Sequence, residues 1–154
     1  MSTYVLFFGG YKSTLTDIKA WMASAMHYNP GYMFDGYPFP DDHSADGGKA
    51  ITAFEKAGVL DEAIKKVQTC KAERIFIVGH SSGCAIANKV DASLKDHTKI
   101  ILVALDGYGP SPAQLERRNT QVWSAESGNG ISLNHDRMLS YIDEYNKAVR
   151  SAQA

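Results

Sequence analysis

The sequence predicts a three-layer α/β/α fold, with a five-stranded parallel sheet in the order 2-1-3-4-5 and helices on both faces. Two observations predict it. Apolar runs too continuous for half-exposed strands alternate with stretches of helical periodicity. Such alternation implies parallel strands joined by right-handed crossovers. Two glycine turns, Gly9-Gly10 and Gly79–Gly83, each follow a strand and precede a helix. In this strand order both turns fall beside the switch point between strands one and three, where ligands bind.

The elements follow in chain order. Strand one is Tyr4–Phe8, an unbroken apolar run. Thr14 and Asp17 have capping-box spacing, and the helix they open carries Leu15, Ile18, Met22 and Met26 on one stripe. A short second strand is expected at Tyr32–Asp35. The stretch from Gly36 to Asp42 holds two prolines and a glycine, which predicts irregular structure, and Gly47-Gly48 continues it. Helical pattern returns at Ile51 and Phe54, is interrupted at Gly58, and resumes with Leu60, Ile64 and Val67. Strand three is Arg74–Val78, and the helix after it turns Ala87, Val90 and Leu94 inward. Strand four is Lys99–Leu105. Ser111-Pro112 places an N-cap before a proline at the first helical position. Strand five is expected near Gln121–Ala125. Asn134 then caps a last helix with Met138, Ile142, Tyr145 and Val149 inward.

Bulk properties narrow the function classes. A chain of 154 residues fits one domain over 1–154. A formal net charge of -1 gives no electrostatic case for nucleic acid or an anionic membrane as partner. Cys70 and Cys84 have no metal-ligand spacing and make no disulfide framework. The chain enters a strand directly, without a basic leader or cleavage site, and no apolar run approaches the ~20 residues that span a bilayer. A cytoplasmic protein is expected. Neither a Gly-x-Gly-x-x-Gly fingerprint nor a P-loop lysine is present, so nucleotide binding is the weaker reading of the glycine turns.

The chemistry gathers at Gly79-His80-Ser81-Ser82-Gly83, which closes the third strand. A Gly-x-Ser-x-Gly between a buried strand and a helix is a nucleophile elbow, whose sharp turn lifts the serine hydroxyl clear of the sheet. A serine needs a base, and the base an orienting acid. Of five histidines, His135 alone lies downstream of the last strand, where the order Ser…Asp/Glu…His requires it. His80 lies within the elbow and His97 in a polar turn, while His27 and His43 precede the serine. Asp106 closes strand four and is the expected acid; Glu126, after strand five, is its rival. The oxyanion donors are expected from the backbone of Ser82 and of Gly10 or Tyr11. Tyr37, Phe39 and Tyr108, with Trp123, are candidates for the wall of an acyl pocket, with ordinary packing as the competing reading.

These residues resemble a small α/β-hydrolase, and more narrowly its thioesterase and esterase branch. The resemblance is carried by Val5–Gly10, by Gly79–Ala87, by Leu105-Asp106-Gly107-Tyr108-Gly109-Pro110 and by Asn134–Leu139. It implies hydrolysis of a carboxylic ester or thioester through an acyl-enzyme on Ser81, with no metal or cofactor. The partner would be a small or carrier-bound acyl substrate. The Leu-Asp-x-Tyr-x-Pro pattern resembles thioesterases whose acid lies one strand earlier than in most hydrolases, which supports Asp106. Two departures stand out. Phe8-Gly9 replaces the His-Gly that opens many oxyanion loops, and the leading strands and lid insertion are missing, which implies a minimal, lidless core with an open site. An inactive binding protein, or an acyltransferase or lyase on the same scaffold, is the alternative.

Overall fold

The computed structural model describes residues 2–10, 13–28, 30–40, 52, 54–94, 99–105, 111–115 and 121–123. Four strands form the body of a wholly parallel sheet: β1 (Thr3–Phe8), β2 (Met33–Tyr37), β3 (Arg74–His80) and β4 (Ile100–Leu105). They stand in the order β2-β1-β3-β4. A three-residue segment, β5 (Gln121–Trp123), pairs with Val103–Leu105 on the outer edge of β4. The parallel α/β sheet is therefore as expected, but the fifth strand is a fringe rather than a full member.

Alternation along the strands builds two cores. Leu6, Phe8, Ile75, Ile77, Ile100 and Leu102 face one way, and Val5, Phe7, Phe76, Val78, Ile101 and Val103 the other. The first face is covered by α2 (Val59–Thr69) and α3 (Gly83–Ala92), through Ala63, Val67, Ile86 and Val90. The second is covered by α1 (Leu15–Tyr28), through Ile18, Trp21 and Ala25. Strands buried on both faces need no polar alternation, which is why they read as continuous apolar runs.

The helix starts obey their local chemistry. Thr14 Oγ1 accepts from the Asp17 N–H at 3.2 Å, while the Thr14 N–H donates to Asp17 Oδ2 at 2.8 Å, a reciprocal capping box. A second box opens α4 (Pro112–Leu115): Ser111 Oγ accepts from the Gln114 N–H at 3.2 Å, and the Ser111 N–H donates to Gln114 Oε1 at 2.9 Å. Gly58, at φ 75°, stands at the N-cap of α2, where the pattern broke.

Two expectations are corrected. The inward stripe of α1 is Ile18, Trp21 and Ala25, with Met22 at its margin, whereas Leu15 and Met26 are about half exposed. Trp21 takes the central place because its ring stacks on Phe7 at 3.8 Å and meets Phe34 edge-on. Gly36 and Tyr37 are strand, not loop, because they complete the ladder opposite Phe7 and Phe8. A side chain on Gly36 would come within 2.6 Å of Ile18 Cγ2, so the glycine marks where α1 lies on the sheet. Among the described residues no helix is long and apolar enough to cross a membrane. The proposed last helix after Asn134 lies outside the described residues.

Candidate active site

The turn from β3 into α3 is built by close backbone approach. A side chain on Gly79 would lie 2.6 Å from Cys84 Cα, and one on Gly83 would strike the Phe8 carbonyl oxygen. Neither obstacle can move without shifting the sheet or the helix. Between them Ser81 takes φ 55°, the only positive φ of a non-glycine residue among those described. That left-handed conformation costs a non-glycine residue roughly 1–2 kcal/mol, and three hydrogen bonds hold the turn in place. The Ser81 N–H donates to the Leu105 carbonyl at 3.0 Å. The Cys84 and Ala85 N–H groups donate to the carbonyls of Ser81 and Ser82 at 3.0 and 3.2 Å. His80 and Ser82 are buried, but Ser81 between them is partly exposed. The turn thus presents the serine hydroxyl at the carboxyl end of the sheet, beside the N-terminus of α3, whose aligned dipoles favour negative charge.

The loop leaving β1 closes against this serine. A methyl group on Gly10 would sit 2.8 Å from Ser81 Cβ and 3.4 Å from Ser81 Oγ. Gly10 is buried, and no acceptor for its N–H lies among the described residues. Two neighbours fix the loop. The Gly9 N–H donates to the Tyr37 carbonyl at 2.9 Å, and the Ser13 N–H to the Gly10 carbonyl at 2.9 Å. Ser13 Oγ in turn accepts from the Phe39 N–H at 2.9 Å. Ser13 belongs to no motif; its one signal in the sequence is a second hydroxyl just before a helix whose cap is already supplied by Thr14.

The structure therefore brings together Ser81, Ser82 and Gly10. Tyr11, Asp106, Tyr108, Glu126 and His135 lie outside the described residues, as does the side chain of Trp123. The two aromatic candidates that are described are committed to packing. Phe39 is 6% exposed, inside the core, with its ring edge-on to Phe54 at 5.2 Å. Tyr37 stacks on Phe8 at 5.6 Å and donates its hydroxyl to Glu62 at 2.8 Å.

Tyr37 also belongs to a charged cluster on the outer strand. Lys66 Nζ meets Asp35 at 2.7 Å and Glu62 at 3.3 Å, and lies 4.7 Å from the centre of the Tyr37 ring. The Tyr4 hydroxyl donates to Asp35 at 3.3 Å. Burial pushes the Tyr37 phenol up to about 12, and burial with the Asp35 charge pushes Tyr4 up as well. Burial alone would lower Lys66, but its hydrogen bonds to Asp35 and Tyr37 outweigh that and raise it. Asp35 is thus occupied by Lys66, away from Ser81. Among the described residues no cluster of histidine, cysteine and carboxylate side chains could hold a metal ion.

No protein-family model and no curated protein matches the chain. Solved structures do. The chain is similar to a protein from Xanthomonas campestris pv. campestris assigned to the alpha/beta hydrolase superfamily, at 13% identity over 94% of this chain and 98% of that one, with a TM-score of 0.54. It is similar to an acetylxylan esterase at 11% identity over 99% and 98% of the two chains, with a TM-score of 0.62. A Trichoderma reesei cutinase, solved with a phosphonate inhibitor, matches at 15% identity over 99% of this chain and 76% of that one, with a TM-score of 0.61. At this level of identity the likeness establishes the fold alone, a parallel α/β sheet covered by helices.

Proposed function

We propose that the protein is a serine hydrolase that cleaves a carboxylic ester or thioester through an acyl-enzyme on Ser81. The observation that carries this reading is the turn itself: Ser81 at φ 55° between two sterically required glycines, with Gly10 packed on its Cβ. A loop that merely joined a strand to a helix would have no use for that strained conformation at a non-glycine residue.

In the proposed reaction Ser81 Oγ attacks the carbonyl carbon while His135 takes its proton. The backbone N–H groups of Ser82 and of Gly10 or Tyr11 hold the tetrahedral oxyanion. His135 then protonates the departing alcohol or thiol, and water, deprotonated by the same imidazole, releases the acid. Asp106 orients the imidazole. The chain places it one residue beyond Leu105, whose carbonyl accepts the Ser81 N–H, so little loop is needed between nucleophile and acid. The esterase and the cutinase among the structural neighbours support ester cleavage. The Leu105–Pro110 pattern supports the thioesterase side of the same chemistry.

The test is fluorophosphonate labelling of wild type beside Ser81→Ala, followed by short p-nitrophenyl esters and acyl thioesters. Labelling and turnover are expected in wild type, with both lost in Ser81→Ala. Labelling that persists in the variant removes the proposal.

A further inference from the structure

The loop between β1 and α1 carries Gly10 to Ser81, and its position there depends on a side chain that no step of the proposed reaction uses. Helix α1 is capped by Thr14, whose N–H and hydroxyl are both bound to Asp17. The neighbouring hydroxyl of Ser13 is therefore not needed at the helix end. It accepts instead from the N–H of Phe39, 26 residues away, at 2.9 Å. Ser13 also packs directly on Gly9: a methyl group there would strike Ser13 Oγ and lie 3.0 Å from Ser13 Cβ. The backbone of Ser13 donates to the Gly10 carbonyl at 2.9 Å. Phe39 is anchored in its turn, 6% exposed with its ring on Phe54. A continuous path thus runs from the aromatic core through the Phe39 N–H and Ser13 Oγ to the Gly9-Gly10 backbone, and so to Ser81.

We propose that Ser13 is a positioning residue that fixes the Gly10 peptide against Ser81 and so sets the oxyanion donor. The proposal rests on the serine-hydrolase reading. The contacts of Ser13 are to Phe39, Gly10 and Gly9, and the proposed reaction gives it no direct step. Its effect is transmitted through the loop, which has one anchor at the Gly9 N–H on Tyr37 and a second at Ser13 Oγ on Phe39. Releasing the second anchor leaves Gly9 tied and the Ser13 N–H on the Gly10 carbonyl, but that segment is no longer held to Phe39. A donor displaced by a fraction of an ångström loses the oxyanion, whose charge develops only in the transition state, more than it loses the ground-state carbonyl. The expected signature is a fall in kcat with little change in KM.

The experiment measures kcat and KM for p-nitrophenyl acetate, the fluorophosphonate labelling rate and the melting temperature. The variants are Ser13→Ala, Ser13→Thr and Ser13→Val. Thr and Val have nearly the same shape, but only Thr keeps an acceptor for the Phe39 N–H. The expected result is a kcat and a labelling rate lowered roughly tenfold to a hundredfold in Ala and Val. KM should stay within about twofold, and Thr should recover most of the loss. The Thr–Val comparison decides the matter if Ala fails to fold. Equal rates in Thr and Val, or Ala matching an active wild type, overturn the positioning role and leave the serine-hydrolase reading standing. A wild type that neither labels nor turns over overturns both.

Discussion

Ser81 holds a backbone conformation that its own side chain disfavours, and it is kept there by neighbours that admit no side chain. Strain of that kind persists only where the surroundings over-determine it. Gly10 gives the sharpest test of what it is for. Gly10→Ala would set its methyl 2.8 Å from Ser81 Cβ and 3.0 Å from the His80 carbonyl oxygen. Either the loop or the elbow must move, and we expect labelling of Ser81 to slow by roughly a hundredfold. The circular dichroism spectrum should stay that of wild type, because the clash is confined to the carboxyl end of β3 and the loop after β1. The acid is tested at the same scale. Asp106→Asn should lower kcat by roughly ten-thousandfold, as loss of the orienting carboxylate does in other triads, whereas Glu126→Gln should stay within a few-fold. The reverse ranking would transfer the role to Glu126.

At the scale of elements, the outer strand β2 is joined to α2 by a cluster whose members titrate in opposite senses. Tyr37 is raised to about 12 by burial, so its proton is held more tightly folded than unfolded. A raised group contributes stability that is complete below its unfolded value near 10 and lost as pH climbs through the folded one. Tyr4 and Lys66, both raised, act with the same sign at alkaline pH. Glu62 is lowered by hydrogen bonds from Tyr37 and Lys66, so its share is present above its unfolded value and fades as acid returns its proton. The urea midpoint of the wild type should fall between pH 10 and 12, and Tyr37→Phe should flatten part of that fall. An unchanged slope in the variant would place the alkaline loss elsewhere. The Tyr37 carbonyl also accepts from the Gly9 N–H, so one residue joins this cluster to the loop beside Ser81.

At the scale of the whole molecule, what could be read in advance depended on whether the cause was local. β1, β3 and β4 were legible because burial on both faces leaves a continuous apolar run. The sharp turn at Ser81 was legible because it is specified by residues two apart. Tyr37, by contrast, stands among a glycine and prolines that point to a loop, and only its ladder with Phe8 makes it strand. Ser13 could not be read at all, since its partner Phe39 meets it through loop geometry rather than sequence spacing. The phase of α1 failed for a related reason. Leu15, Ile18, Met22 and Met26 form a helical stripe as good as Ile18, Trp21, Met22 and Ala25, and only the sheet chooses between them. That choice places Trp21, fully buried, at the centre of the second core, stacked on Phe7 at 3.8 Å. Trp21→Ala should therefore cost roughly 3–5 kcal/mol, a large part of the roughly 5–15 kcal/mol that holds a domain folded. The melting temperature should drop by roughly 6–20 °C for a chain of this size. Trp21 lies almost a turn beyond Ile18, the α1 side chain that approaches Gly9. Turnover at 15 °C, corrected for the folded fraction, should stay within a few-fold of wild type. A melting temperature within a degree or two of wild type would mean that α1 is not the element that closes the second face.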